Sequence, residues 1–168
     1  MRVLSFGTKG IFEGYINQLR ESLDRYDIPH ELEVVPPQTK KYEAALGKPQ
    51  FILDRLNEPV LWLDADSLVL GPISLPNGEW DCGFLNHWGA KRNKVTCCAL
   101  AFQPTDRARD FLERWAETCG KHSRGFNGSE HDRMLAIKAN VEMNEIELTE
   151  CLTGRLVVNY RIRKEHYV

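Results

Sequence analysis

The chain has no apolar run approaching the roughly 18 residues of a helical membrane span, no excess of either charge and no cysteine pair at Cys-x-x-Cys spacing. The first absence leaves no candidate for a membrane helix. The second, 22 basic against 24 acidic residues and a formal net charge of −2, removes the global field that would draw a chain onto nucleic acid, so any such contact must be local. The third bears on the five cysteines, Cys82, Cys97, Cys98, Cys119 and Cys151. An odd set without metal-ligand spacing argues against both a disulfide framework and a structural zinc site, and the thiols read as small buried hydrophobes. Met1 to Gly7 is too short and too soon interrupted for a signal peptide, and the cytoplasm is the expected compartment. With no repeat, linker or composition shift, residues 1–168 are expected to form a single domain.

What is present has a regular rhythm in the first half. Arg2 to Thr8 reads as a strand, and Gly7 and Gly10 flank Thr8 and Lys9 in the loop after it. Ile16, Leu19, Leu23 and Tyr26 fall at helical spacing across Gly14 to Asp27. Glu31 to Val35 reads as a second strand. Lys48-Pro49 opens a helix with Phe51, Ile52 and Leu56 inward, proline being tolerated in a first turn. Val60 to Leu63 follows as a strand. This β-α-β-α-β order predicts parallel strands with helices covering both faces. In the second half, Asp81 to Leu85 and Thr96 to Phe102 read as strands. Thr105 caps a helix burying Ala108, Phe111, Leu112, Trp115 and Cys119. A shorter helix is expected over Glu130 to Ala139, with short strands in Glu142 to Leu148 and Leu156 to Tyr160.

The chemistry concentrates at Asp64-Ala65-Asp66, directly after the continuous apolar run Val60-Leu61-Trp62-Leu63. Such a run is the pattern of a strand buried on both faces, and ligands of open α/β sheets sit beyond the carboxyl ends of such strands. Two carboxylates partly removed from water repel each other and carry a desolvation cost that a cation offsets. Hard oxygen ligands suit Mg²⁺ or Mn²⁺, which are commonly held by one or two carboxylates together with substrate phosphates. Two chemistries place an Asp-x-Asp there. One is sugar transfer from a nucleoside diphosphate; the other is phosphoryl transfer through an aspartyl-phosphate, as in haloacid-dehalogenase-like phosphatases. About sixty residues precede the motif and no acidic pair follows it, which separates this chain from the phosphatase pattern.

Lys48-Pro49 before a helix, then Val60 to Asp66 and Gly71-Pro72-Ile73, resemble the donor half of glycosyltransferases with the GT-A, nucleotide-diphospho-sugar transferase fold. The resemblance implies an α/β chain with a Rossmann-type mixed sheet, a donor half over 1–73, and an acceptor half with a C-terminal metal and phosphate tail over 74–168. It places the family's metal-binding aspartates at Asp64 and Asp66 and its nucleotide contacts at Thr8 and Lys9 after the first strand. It also implies a C-terminal metal ligand, for which His166 is the available histidine, and an acceptor contact or base at Asp132 within Glu130-His131-Asp132. The implied donor is a nucleoside-diphosphate sugar, a UDP-sugar first, with Mn²⁺ or Mg²⁺ and an unidentified acceptor.

Other readings compete at single residues. Lys48 reaches a phosphate from its helix start or is a solvated loop charge. Asp132 stands three residues after Ser129, close to a helix-capping box. Arg161, with Arg155, Arg163 and Lys164, can pair with a diphosphate, and His87, Trp88, Lys91, Arg92 and Lys94 form a loop that would meet a phosphorylated or nucleic-acid acceptor. The alternatives at the level of function are a nucleotidyltransferase of the same fold and a non-catalytic nucleotide-sugar binding module.

Overall fold

The computed structural model describes residues 1–36, 43–86, 95–120, 129–152 and 156–157. In chain order these form β1 (Arg2–Thr8), α1 (Ile11–Asp24), β2 (His30–Val35), α2 (Glu43–Leu46), α3 (Lys48–Leu53), β3 (Val60–Leu63), β4 (Leu68–Val69) and β5 (Cys82–Asn86). They continue with β6 (Val95–Phe102), α4 (Asp106–Gly120), α5 (Glu130–Lys138), β7 (Glu145–Glu147), α6 (Thr149–Leu152) and β8 (Leu156–Val157). Six strands make one mixed sheet in the order β2-β1-β3-β6-β5-β7, and β4 pairs with β8 in a separate two-stranded sheet. The three strands of the first half run parallel, as their rhythm predicts; β6 enters antiparallel to β3 and to β5.

Both faces of the sheet are covered. On one, Leu19 and Leu23 of α1 pack with Val3, Leu61 and Leu63. On the other, Ile52 of α3 and Leu56 just after it, with Ala108, Phe111, Leu112 and Trp115 of α4, pack on Leu4, Val60, Trp62, Leu100 and Phe102. The alternation along β1 and β3 supplies one apolar set to each face, which is why β3 reads as an unbroken hydrophobic run. All four of its residues are buried.

Helix α1 begins three residues earlier than its apolar spacing suggests, because Gly10, at φ 100°, turns the chain directly after the strand. Its close approach to β1 requires Gly7: a Cβ there would stand 2.8 Å from Ile16 Cγ1 and 2.9 Å from the Phe12 carbonyl oxygen. The helix stops at Asp24, three residues before the expected end, and Asp27 takes a positive φ of 52° before β2. Thr105 caps α4 as expected, its Oγ1 accepting from Ala108 N at 3.2 Å. The strand expected over Glu142 to Leu148 is confined to β7, since the chain turns into α6 at Thr149. Short α2 and the β4–β8 pair carry too few residues for a periodic pattern to show. All five cysteines are free. Among the described residues no helix is long and apolar enough to cross a membrane.

Candidate active site

Asp64 leaves β3 at the sheet's switch from parallel to antiparallel neighbours. Its backbone N–H donates to the Cys98 carbonyl at 2.9 Å, and its own carbonyl accepts from Ser67 N at 3.0 Å, which fixes the Asp-x-Asp turn. The carboxylate is held through one oxygen. Asp64 Oδ1 accepts from Lys48 Nζ at 2.8 Å and from the Trp62 indole N–H at 2.9 Å. Trp62 is itself fixed edge-on between Phe6 and Phe51, with ring centroids at 5.2 and 6.0 Å.

Lys48 is no solvated loop charge. Its side chain is 3% exposed, and Nζ also donates to the Cys97 carbonyl at 3.1 Å and pairs with Glu130 Oε1 at 3.5 Å. Burial alone would push its pKa down, but the Asp64 carboxylate and then Glu130 favour the charged form more strongly, and the net shift is upward, above the ordinary lysine range. The Cys97 thiol is pushed up chiefly by burial and stays protonated, so it donates toward Glu130 Oε1 at 3.5 Å. The charged members of the cluster are therefore Lys48, Asp64 and Glu130, from the starts of α3 and α5 and the end of β3.

Register places these groups together. Between Phe84 and Leu85 of β5 the pairing with β6 shifts: Phe84 faces Leu100 while Leu85 faces Thr96. The intervening Cys97, Cys98 and Ala99 leave the regular ladder on that side, a device that re-aims backbone beside functional sites. The Cys97 carbonyl accepts from Lys48 at this point, whereas the Cys98 carbonyl, on the other edge of β6, continues the regular β3 register to Asp64 N. Cys97 and Cys98, read from the sequence as small hydrophobes, thus contribute their carbonyls.

Glu130 is the residue that sequence reasoning passed over. It opens α5 with its side chain 14% exposed, and its carbonyl accepts from the Trp115 indole at 3.0 Å. Its signal in the sequence is the triplet Glu130-His131-Asp132 at the helix start, in which Asp132 is the acid that matches the capping spacing from Ser129. Asp132 lies in a complete capping box: its Oδ2 accepts from Ser129 N and Ser129 Oγ, both at 2.9 Å, while its N–H donates to Ser129 Oγ at 3.3 Å. Thr8 ends β1 and Lys9 follows it at the same edge as Asp64, one strand over in a parallel pairing that matches Leu4 with Trp62. Thr8 is half-buried, and Lys9 is exposed with its N–H bonded to Val35 O at 2.9 Å. Arg161 and His166, with Arg155, Arg163, Lys164 and the loop of His87, Trp88, Lys91, Arg92 and Lys94, lie outside the described residues.

The donor chemistry of the Asp-x-Asp fits a hard divalent cation. Among the described residues Asp64 Oδ2 has no hydrogen-bond partner and neither has the buried Ser67 hydroxyl, while Asp66 is half-buried. Among the described residues no group of three histidine, cysteine or carboxylate side chains that could hold a metal ion is present, so Asp64 and Asp66 are what these residues offer there.

No family model and no curated protein matches the sequence. Solved structures do. A glycosyltransferase involved in the glycosylation of the major capsid of PBCV-1 superposes with a TM-score of 0.70 at 14% identity, over 98% of this chain and 97% of that one. The glycosyltransferase GlyE of Streptococcus pneumoniae TIGR4 gives 0.62 at 13% identity, over 89% of this chain but 45% of GlyE. The galactosyltransferase LgtC, solved with donor and acceptor sugar analogs, gives 0.57 at 11% identity, over 88% of this chain and 73% of LgtC. The mixed sheet, its helices on both faces and its strand-end carboxylates thus belong to a chain whose fold is that of the GT-A-type glycosyltransferases.

Proposed function

We propose that this chain transfers a sugar from a nucleoside-diphosphate sugar, a UDP-sugar first among them, to an acceptor, with Mn²⁺ or Mg²⁺ held by Asp64 and Asp66. The observation that carries the reading is the carboxylate cluster at the end of β3 in a glycosyltransferase fold, with Asp64 fixed by Lys48 and Trp62. Charge counting supports a cation. Among the described residues, Asp64, Asp66 and Glu130 bring three carboxylates to this edge against the ammonium groups of Lys48 and Lys9, and a nucleoside diphosphate brings further negative charge. A divalent ion, when bound, would offset the charge that grows on the leaving diphosphate as the glycosidic bond breaks.

The chain's own residues do the positioning. Trp62 and Lys48 hold Asp64 Oδ1, leaving Oδ2 to face the donor, and the turn closed by Ser67 N sets where Asp66 follows. Thr8 and Lys9 are proposed to meet the nucleotide at the end of β1. Arg161 is proposed to pair with its diphosphate, and His166 to complete the metal ligands. The acceptor side is assigned to the start of α5, where Glu130 and Asp132 stand two residues apart.

The test is thermal unfolding with a panel of nucleotide sugars, with and without Mn²⁺. Ligand at ~100 times its dissociation constant adds about 2.7 kcal/mol. Each kcal/mol moves the midpoint of a chain this size by roughly 2 to 4 °C. Stabilisation should require the cation, and Asp66→Asn should lose both the requirement and most of the binding. Equal nucleotide binding in excess chelator would overturn the role given to Asp64 and Asp66.

A further inference from the structure

An ammonium group has three N–H donors and no acceptor. In Lys48 two of them go to Asp64 Oδ1 at 2.8 Å and the Cys97 carbonyl at 3.1 Å, and the charge pairs with Glu130 Oε1 at 3.5 Å. The indole of Trp62, with its ring centroid 5.2 Å from Nζ, closes the group in further. Both partner carboxylates are more exposed than the lysine that joins them, 25% for Asp64 and 14% for Glu130 against 3%. A lysine serving as a phosphate ligand must present its ammonium to the pocket, and here the side chain is buried with its charge turned to two carboxylates and a carbonyl of the fold.

We infer that Lys48 is a positioning residue, an internal counter-ion that holds the Asp64 and Glu130 carboxylates side by side and contacts neither the nucleotide nor the sugar. Three separate elements meet at this one charge. Without it, two carboxylates would face each other across a buried gap, and each would turn away from the other. Asp64 would keep only the Trp62 indole as a donor, and Glu130 only the weak thiol of Cys97. The inference makes Lys48 act on substrate only through these two acids. It rests on the sugar-transfer reading for what the acids then do, but not for the coupling among the three side chains.

The coupling is testable by a double-mutant cycle of Lys48→Met and Glu130→Gln, followed by thermal unfolding and by calorimetric titration with UDP and Mn²⁺. Lys48→Met should lower the midpoint and weaken UDP binding at least tenfold. Adding Glu130→Gln should recover most of the midpoint and at least threefold of the affinity, since one of the two uncompensated acids is gone. Losses that simply add, with no affinity recovered, would mean that Lys48 contacts the nucleotide, and the inference would fall. Should Lys48→Met not fold, the wild type labelled with ¹⁵N-lysine answers instead. A buried, ion-paired ammonium gives a proton-bearing resonance protected from exchange, and saturating UDP should leave it in place. Rapid exchange, or a large displacement by UDP, would overturn the inference. A wild type that binds no nucleotide at all defeats the proposed function, whereas the midpoint arm of the cycle and the protected resonance still decide the role of Lys48.

Discussion

Asp132 separates a structural role from a chemical one, because the two fail in different measurements. Its Oδ2 takes two hydrogen bonds from Ser129, and Ser129 Oγ takes one back from the Asp132 N–H, so the first turn of α5 is closed on itself. Replacing it with alanine removes the side-chain half of this box, at a cost typical of lost caps, ~0.5 to 2 kcal/mol. Asparagine keeps an acceptor oxygen and loses only the charge at the helix N-terminus, worth ~0.3 to 1 kcal/mol. At roughly 2 to 4 °C per kcal/mol for this chain length, alanine should lower the midpoint by up to about 8 °C and asparagine by up to about 4 °C. The exposed position of Asp132 and its engagement with Ser129 predict that both variants keep UDP affinity, and release diphosphate from a responsive nucleotide sugar, within about threefold of wild type. A general base would behave otherwise, since its loss typically costs 10² to 10⁴ in rate. Asp132→Asn with an unchanged midpoint and turnover down a hundredfold would refute the capping account and make Asp132 the base that the family resemblance implies.

Trp62→Phe keeps an aromatic ring against Phe6 and Phe51 but deletes the indole donor to Asp64; it should cost ~1.5 to 3 kcal/mol for a hydrogen bond to a charged group and weaken nucleotide binding, as urea unfolding and UDP titration would show. Gly7→Ala drives a methyl group into Ile16 and the Phe12 carbonyl, and an overpacking loss of ~1 to 3 kcal/mol should appear in the same unfolding assay. Burial raises the Cys82 and Cys97 thiols far above their ordinary value and Cys119 to about 11, so above pH 9.0 the unfolded chain releases protons that the fold retains. Stability under reducing conditions should therefore be insensitive to these thiols below pH 8 and fall above pH 9, by ~1.4 kcal/mol per pH unit for each thiol; Cys119→Val should flatten part of that fall.

The elements legible in the sequence are those whose signal is local. β1 has its expected bounds, β3 is the continuous apolar run, and the inner face of α4 is the set read from helical spacing. The Asp-x-Asp stands at the strand end because a strand buried on both faces must release its first charges there. Lys48 was harder, since a lysine before proline at a helix start looks solvated from its neighbours. Its partners lie 16 residues away at Asp64 and 49 away at Cys97, and only the sheet brings them within reach. Glu130 was hidden for a related reason: Ser129 and Asp132 satisfy the local capping pattern completely, so nothing nearby announces that the first acid of the same turn faces inward to the lysine.

The irregularity in β6 explains why side-chain chemistry alone could not reveal this part of the site. Two of the contacts that hold it, to Lys48 Nζ and to Asp64 N, come from the carbonyls of Cys97 and Cys98, and any residue at those positions carries the same carbonyl. What the position requires is a side chain small enough to sit between α5 and the sheet where the ladder shifts, and a thiol that remains protonated meets that requirement while offering Glu130 a weak donor. The cysteine pair occupies the place where β6 shifts register against β5 while it keeps its register with β3, so that one carbonyl reaches a lysine and the next an aspartate that the parallel half of the chain supplies. The switch from parallel to antiparallel pairing at β3 is accordingly the physical origin of the site: each half provides charges or carbonyls that remain unsatisfied until the other half is in place.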